Sequence, residues 1–383
     1  MKTKNLIKVV MLSLVIGFSS CKKDSPTPSG NDDNNNLDCN GIENGTSILD
    51  DCGDCQQAYI YDYVTHAVTL LDDTNGIVLG ATEMLVMPSD PGNPYWNSGC
   101  ITAPTSYVFM HNGQNTVTYS GQTARLNMAA EILDMLADAS STDASVIMNM
   151  IDNGTGFSDP SLDASGKNIG GKTAYYQSAV VRDDVKSRFA AMVTDFTTNV
   201  APAMANGTQA APGVPGMVEN RELNAKGQEI DQLFAKGMIG ALCLDQVVNG
   251  YLSEAKIGDG VDNTNRDPNE DNGATAMEHH FDEAYGYVYG MVAENSTGDL
   301  STDNLLGKYL NKYDGYKQIV WDAFLLGRAA ITGNDSQIRD AQAQIIKENL
   351  SKVIAERAIY YLNDAADHVD QSAAYFHSLS EGY

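Results

Sequence analysis

Two histidine–glutamate pairs are the residues of this chain best suited to chemistry. In the run Met277-Glu278-His279-His280-Phe281-Asp282-Glu283-Ala284-Tyr285, His279 precedes Glu283 by four positions and Tyr285 follows it by two. The end of the chain repeats the frame with His377, Glu381 and Tyr383. Residues four apart share one face of a helix, so each copy would aim an imidazole and a carboxylate in the same direction. Inward imidazoles and carboxylates from facing helices are how helical bundles build metal sites, and that donor set suits iron or zinc. The expectation is a shared pocket in which His279 or His280, Glu283, His377 and Glu381 converge as ligands, supported by Asp245, Glu356 and Tyr285. His280 lies three before Glu283, so spacing alone does not choose between the two histidines, and Asp282 reads as the exposed member of the run. A plainer reading stands beside this one: each pair simply hydrogen-bonds across a helix interface, with Tyr285 and Tyr383 as packing.

A second candidate is acidic. Gly258 to Asn272 holds Asp259, Asp262, Asp267, Glu270 and Asp271. Such oxygens can bind calcium, whereas runs of one charge are more often just solvated. Neither a Gly-x-Ser-x-Gly elbow nor a His-Glu-x-x-His helix is present, and no phosphate-binding loop, nucleophilic catalysis or phosphoryl transfer is expected, so an enzyme is the least supported class.

Composition narrows the partners. The chain has 24 Lys+Arg against 50 Asp+Glu, a net charge of −26, and a surface that acidic repels nucleic acid. At the N-terminus Lys2, Lys4 and Lys8 lead into the apolar run Val9 to Phe18, too short to span a bilayer in the mature protein. Ser19-Ser20-Cys21-Lys22-Lys23 then looks like a bacterial lipoprotein signal. Residues 1–20 are expected to be the signal peptide. Cys21 is expected to carry lipid and hold the protein to the cell envelope, most naturally the outer membrane, through a flexible tether over 21–37. An exported chain permits disulfides. Cys39, Cys52 and Cys55, in the turn-rich module 38–56, together with Cys100 can make two bridges of open connectivity. Cys243, in an apolar run, reads as a buried thiol.

The elements that would position these residues follow from periodicity. Residues 57–120 carry the strand signals: Tyr59 to Val64 and Ile77 to Leu79 around Asn75-Gly76, then Ser106 to Met110 and Thr116 to Tyr119 around His111-Asn112-Gly113. From 121 to 383 the spacing is helical. Helices are expected over Gln122–Ala139, Tyr175–Val200, Arg221–Ala255, Thr275–Glu294 and a segment from Asp303 to Thr332 broken near Asp314-Gly315. A long helix capped by Asp335 or Ser336 follows, and a last one begins at Gln371. A Gly/Pro/Ala break at 205–216 marks a boundary between sub-bundles. The last helix stops without a C-cap, which reads as a truncated frame or a frayed turn. The fold class is therefore mainly α: an antiparallel helical bundle with internal duplication, preceded by a small disulfide-stapled, partly β region.

Several stretches resemble a family of exported bacterial lipoproteins known as domain of unknown function 4856. They are Ser120-Gly121-Gln122-Thr123-Ala124-Arg125-Leu126-Asn127-Met128, Lys236-Gly237-Met238-Ile239-Gly240-Ala241 with Asp245-Gln246, Met277 to Tyr287, and His377 to Tyr383. That family carries no established activity. More distantly, His280-Phe281-Asp282-Glu283 is similar to the His-x-x-Glu of imelysin-like proteins, exported helical-bundle proteins implicated in iron uptake. The Gly that normally lies two before that histidine is Glu278 here. The resemblance implies a lipid-anchored envelope protein handling a transition metal such as iron. The alternative is a non-metal ligand-binding or scaffold lipoprotein that aids nutrient capture at the outer membrane.

Overall fold

The computed structural model describes residues 37–62, 68–90, 93, 96, 100–370 and 372–383. The signal peptide, Cys21 and nearly all of the tether lie outside the described residues.

The first module is held by two disulfides, Cys39–Cys55 and Cys52–Cys100, the two bridges expected from these four cysteines. Aspartates build its turns. Asp38 accepts from the backbone N–H groups of Asn40, Ile42 and Ser47, and Asp50 from those of Cys52 and Asp54, as short carboxylates do in turns. β1 (Ile48–Leu49) pairs with β2 (Cys55–Gln56). β3 (Ala58–Asp62) lies between β4 (Val68–Leu71) and β5 (Glu83–Val86), antiparallel to both, with Tyr59 opposite Leu70 and Val86. The expected strand Ile77–Leu79 is not formed. Val78 is 90% exposed, and Gly76, at φ +74°, makes a turn within the β4–β5 loop. With no apolar surface to cover it, a β-branched run gains nothing by pairing. The second hairpin forms around Asn112-Gly113, both at positive φ, but as the shorter pair β6 (Met110–His111) and β7 (Gln114–Asn115), with His111 exposed; Ser106–Phe109 and the expected strand Thr116–Tyr119 are not paired as strands.

Helices make up the rest, apart from β8 (Gly216–Val218) paired with β9 (Arg221–Leu223). They are α1 (Ser120–Met135), α2 (Ala144–Asn153), α3 (Pro160–Ala164), α4 (Ala179–Asp195), α5 (Ala201–Ala205), α6 (Ile230–Met238), α7 (Glu254–Ile257), α8 (Ala276–Tyr289), α9 (Leu306–Leu310), α10 (Asp314–Gly333), α11 (Ser336–Asp367) and α12 (Ser372–Gly382). The long helix expected from Arg221 begins only at Ile230, because residues 221–223 pair as β9. It then runs on as a π-helix, Ile239–Tyr251. The break near Asp314 and the Asp335 cap are both as expected; the Asp335 side chain accepts from Ile338 N–H. None of the described helices is long and apolar enough to cross a membrane.

α8 is the centre. Thr275 and Glu278 close a capping box at its start, and ten of its fourteen residues are buried. It packs on α1, α7, α10 and the π-helix. A Cβ on Gly286 would lie 2.5 Å from Tyr119 Cβ and 2.9 Å from Gln122 Cβ, so α1 can approach only a glycine there. Tyr107 stacks on Tyr285 at 3.7 Å, which ties the residues before α1 to the bundle core.

Asp282 is fully buried, contrary to its reading as exposed. It accepts from Arg328 Nε at 3.0 Å and Tyr107 O–H at 2.9 Å. Arg328, also fully buried, lies 2.9 Å from Glu278, which takes Arg266 as well. Burial alone would raise both carboxyls. In Glu278 it is overcome by hydrogen bonds from Arg266 and the charge of Arg328, and the group falls below the usual carboxylate range. In Asp282 burial wins and the group is raised. Removing Arg328 would leave the buried Asp282 without a cation, while Glu278 would keep Arg266. Arg328→Ala is therefore expected to cost about 3–5 kcal/mol by urea unfolding, while Arg188→Ala, at an exposed ion pair with Asp184, leaves the midpoint where it is.

Candidate functional site

The first His/Glu pair sits where α8 meets α1 and the π-helix. Glu283 accepts from Gln122 Nε2 at 2.9 Å, and the Tyr251 hydroxyl at the end of the π-helix also engages it. Its other oxygen is 3.9 Å from His279 Nε2, which lies 3.5 Å from Asp271. Lys172 reaches Tyr251 O–H at 3.3 Å and lies over the Tyr251 and Tyr175 rings. His280 faces another way. Its Nδ1 donates to the Lys256 carbonyl at 2.7 Å, and its Nε2, 3.1 Å from Lys256 Nζ, accepts from that ammonium. Burial above all, with Lys256 adding to it, pushes the His280 pKa down, so the ring is held neutral.

The second pair belongs to α12, which packs on α11 and α6. His377 Nδ1 lies 2.6 Å from Glu229 Oε2 and its Nε2 3.5 Å from Glu381. Glu381 meets Lys236 Nζ at 2.7 Å and engages the Tyr361 hydroxyl. Lys236 lies over the Tyr309 and Tyr361 rings. The two copies thus repeat a surrounding and not only a spacing: a carboxylate on the histidine, then the glutamate, a tyrosine hydroxyl on that glutamate, and a lysine over the tyrosine ring.

They do not face each other. Glu229 stands just before the first turn of α6 and Tyr251 closes the π-helix that continues it. At about 1.5 Å rise per residue these ends stand on the order of 30 Å apart. The shared pocket expected from the sequence is therefore not assembled, because each copy is docked at its own end of one long helix. A metal does not fit this arrangement. Both nitrogens of His280 are engaged, His377 is held by two glutamates, and Glu381 is held by a lysine. Among the described residues no three His, Cys, Asp or Glu side chains are grouped to hold a metal ion.

The other expected residues are dispersed. In the acidic loop, Asp259 pairs with Arg339 at 3.0 Å, Asp262 binds Thr264 and Asn265, Asp267 binds Asn269, and Asp271 turns to His279. Those oxygens serve as turn and bridge acceptors and do not converge on a calcium. Glu356 meets the Tyr316 hydroxyl. Tyr285 is buried in the aromatic core and donates to the Asn295 carbonyl at 2.7 Å. Cys243 is a buried thiol whose pKa burial raises. Cys21 lies outside the described residues.

Asp245 does serve the first cluster. It accepts from the Tyr176 backbone N–H (3.1 Å), Gln177 Nε2 (2.6 Å) and Asn249 Nδ2 (2.9 Å). Together with Gln246 Nε2 on the Lys172 carbonyl and Ala241 O on Ala174 N–H, it pins the segment 172–177 against the π-helix. This segment was overlooked in the sequence, although a signal was there. Gly166 to Thr173 reads Gly-x-x-x-x-Gly-Lys-Thr, the spacing of a phosphate-binding loop. Such a loop needs a strand before it and a helix after it; here α3 precedes, and a run of turns separates it from α4. The Lys172 and Thr173 N–H groups both go to Ile169 O, so the backbone forms no phosphate cradle.

The model of the family described as "Domain of unknown function (DUF4856)" matches residues 104–383. The chain belongs to that family. No curated protein and no solved structure matches it.

The His280 pKa is lowered in the folded state, so the unfolded chain takes up a proton first as pH falls below about 6.5, the ordinary imidazole value. Wild-type stability is expected to drop through that window and on toward the folded value. The difference in unfolding free energy between wild type and His280→Gln, followed from pH 8 to 5, should shrink accordingly; a constant difference would show that folding leaves the His280 pKa where it is in the unfolded chain.

Proposed function

We propose that this chain is a non-catalytic, small-molecule-binding lipoprotein of the cell envelope, anchored by lipid on Cys21, with its ligand site at the half-open cluster around Glu283. One observation carries the choice of site. Three buried polar atoms around the first copy have no hydrogen-bond partner among the described residues: His279 Nδ1, Gln246 Oε1 and Tyr287 O–H. Buried polar groups are normally satisfied, so an orphaned set marks a place that water or a ligand completes. The second copy differs. Its histidine lies between two glutamates and its glutamate meets a lysine, and its two orphaned buried atoms each belong to a group with a partner: Glu229 Oε1 faces Arg221 Nε at 3.6 Å, and Arg357, whose Nε lacks a hydrogen bond, stacks on the Tyr361 ring. That copy is read as a clasp holding α12. The lipid anchor is supported by the charged, apolar and Ser-Ser-Cys pattern of residues 2–21.

A ligand present at a hundred times its Kd adds about 2.7 kcal/mol to stability, on the order of 5 °C in Tm for a chain of this size. Screened against carboxylates, phosphorylated compounds, amines, sugars and divalent metals, the wild type should shift with at least one small molecule, and Glu283→Gln should change that shift, lowering it for a cationic ligand and raising it for an anionic one. A panel without any shift would sink the reading. A transition-metal shift abolished by both Glu283→Gln and Glu381→Gln would restore the shared metal pocket in its place. Separately, Cys21→Ser is expected to move the protein from the detergent-extracted membrane fraction to the soluble one.

A further inference from the structure

The surroundings of the first cluster also carry a sign. Lys167, Arg125 and Lys172 come together there, with Lys256 beyond His280. Lys167 and Arg125 both pass over Gly121 in the first turn of α1: a Cβ on that glycine would meet Lys167 Cε at 3.2 Å and Arg125 Nη1 at 3.3 Å. Among the described residues none of the four cations lies within 4.0 Å of a carboxylate oxygen. In a chain with 24 basic and 50 acidic side chains, that is a placement and not a shortage of partners. Lys172 instead has a tyrosine hydroxyl, and Arg125 has the carbonyls of Gly121 and Asn168. Burial first, then the nearness of Arg125, hold the Lys172 ammonium below its usual value.

Two further features point the same way. α1 starts with no side-chain cap and no acidic residue in its first turn, so the positive end of its dipole is left uncompensated. Tyr287 O–H, fully buried and without a hydrogen-bond partner among the described residues, is a donor in need of an acceptor, and it lies within the field of Arg125 and Glu283. Glu283 itself is occupied by Gln122 and Tyr251, which disperses its charge.

We propose that Lys167, Arg125 and Lys172, at the N-terminal turn of α1, recognise an oxyanion, the carboxylate or phosphate group of a small molecule. This rests on the ligand-binding reading above and names the chemistry of the ligand. The side chains hold the anion and the backbone does not, because the Lys172 and Thr173 N–H groups go to Ile169 O, that of Gly170 to Ile151 O and that of Gly171 to Asn168 Oδ1. A nucleoside triphosphate therefore has no cradle there, and the expected ligand is smaller.

The test is calorimetric titration of the full chain with inorganic phosphate and with succinate, against chloride at equal ionic strength. Glycerol and ethylamine serve as neutral and cationic probes. At least one oxyanion should bind. Lys172→Gln and Lys167→Gln should each weaken it about tenfold or more, the scale of one charge-assisted hydrogen bond. Lys172→Arg should retain most of the affinity, and Lys236→Gln, at the far clasp, should change nothing. Equal oxyanion affinity in wild type and Lys172→Gln would overturn the proposal. So would binding of glycerol or ethylamine alone if lost in Glu283→Gln, which leaves the ligand-binding reading standing. Absence of any small-molecule binding here and in the thermal-shift panel would remove both.

Discussion

Arg328 is fully buried among carboxylates, and taking such charges out of water is costly unless every one has a partner. That constraint fixes α8. Glu278 and Asp282 lie four apart on one face and must meet α10 through Arg328, while Tyr285 continues that face into the aromatic stack with Tyr107. Once this face is committed, the neighbouring one, carrying His279 and Glu283, can only turn toward α1 and the π-helix. The position of the candidate site is thus set by a salt bridge that takes no part in it. The same network reaches Thr116 through Arg328 Nη2, so the β6–β7 hairpin is held by the charge that orients α8.

The π-helix supplies what an ordinary helix could not. A backbone wound with i→i+5 bonds is wider and leaves local hydrogen-bonding capacity, which is why such turns recur at functional places. Here Ala241 O, Asp245 and Gln246 all spend theirs on the segment 172–177. Those residues carry Lys172, Tyr175 and Tyr176, which stand beside Glu283 only because the π-helix holds their backbone. Thirteen residues long, it continues α6, which anchors α12 through Glu229 at its start and Lys236 in its last turn. One element therefore supports both His/Glu copies and also keeps them apart.

Much of this was legible in the sequence, and the failures share a cause. The two bridges among four cysteines, the Asn112-Gly113 hairpin, the break before Asp314 and the Asp335 cap are local, and local chemistry determines them. The pairing partners were not legible. Glu229 and Lys236 lie far from His377 and Glu381 in sequence, and no spacing rule connects them. The i,i+4 pattern gave the direction of each pair but not what it would meet, so facing copies were inferred where the helix ends keep them separate. Asp282 looked exposed because a charged side chain usually is; its burial depends on Arg328, which could not be matched to it from sequence. Ile77–Leu79 has strand-forming residues but no surface to lie against. A π-helix leaves no pattern distinct from an α-helix in composition, so nothing in residues 239–251 announces the segment it positions, and that segment's own Gly-Lys-Thr spacing points to a phosphate loop that the fold does not build.

Charge placement is the remaining lesson. When acids outnumber bases two to one, a basic side chain finds a carboxylate almost by default, as Lys236, Arg188, Lys317 and Arg339 do. Leaving several bases together without one is a local conflict that folding alone would not favour, since like charges repel and each is partly desolvated. Conflicts of this kind are tolerated where something outside the fold resolves them. A net charge of −26 also repels anions, a repulsion that is largely screened beyond the Debye length of about 10 Å at moderate salt but acts within it. A site for an anion on such a protein must then rely on near, partly buried cations whose field is poorly screened. The first His/Glu copy provides that setting. The second, with Lys236 seated on Glu381, has already neutralised the charge it would need.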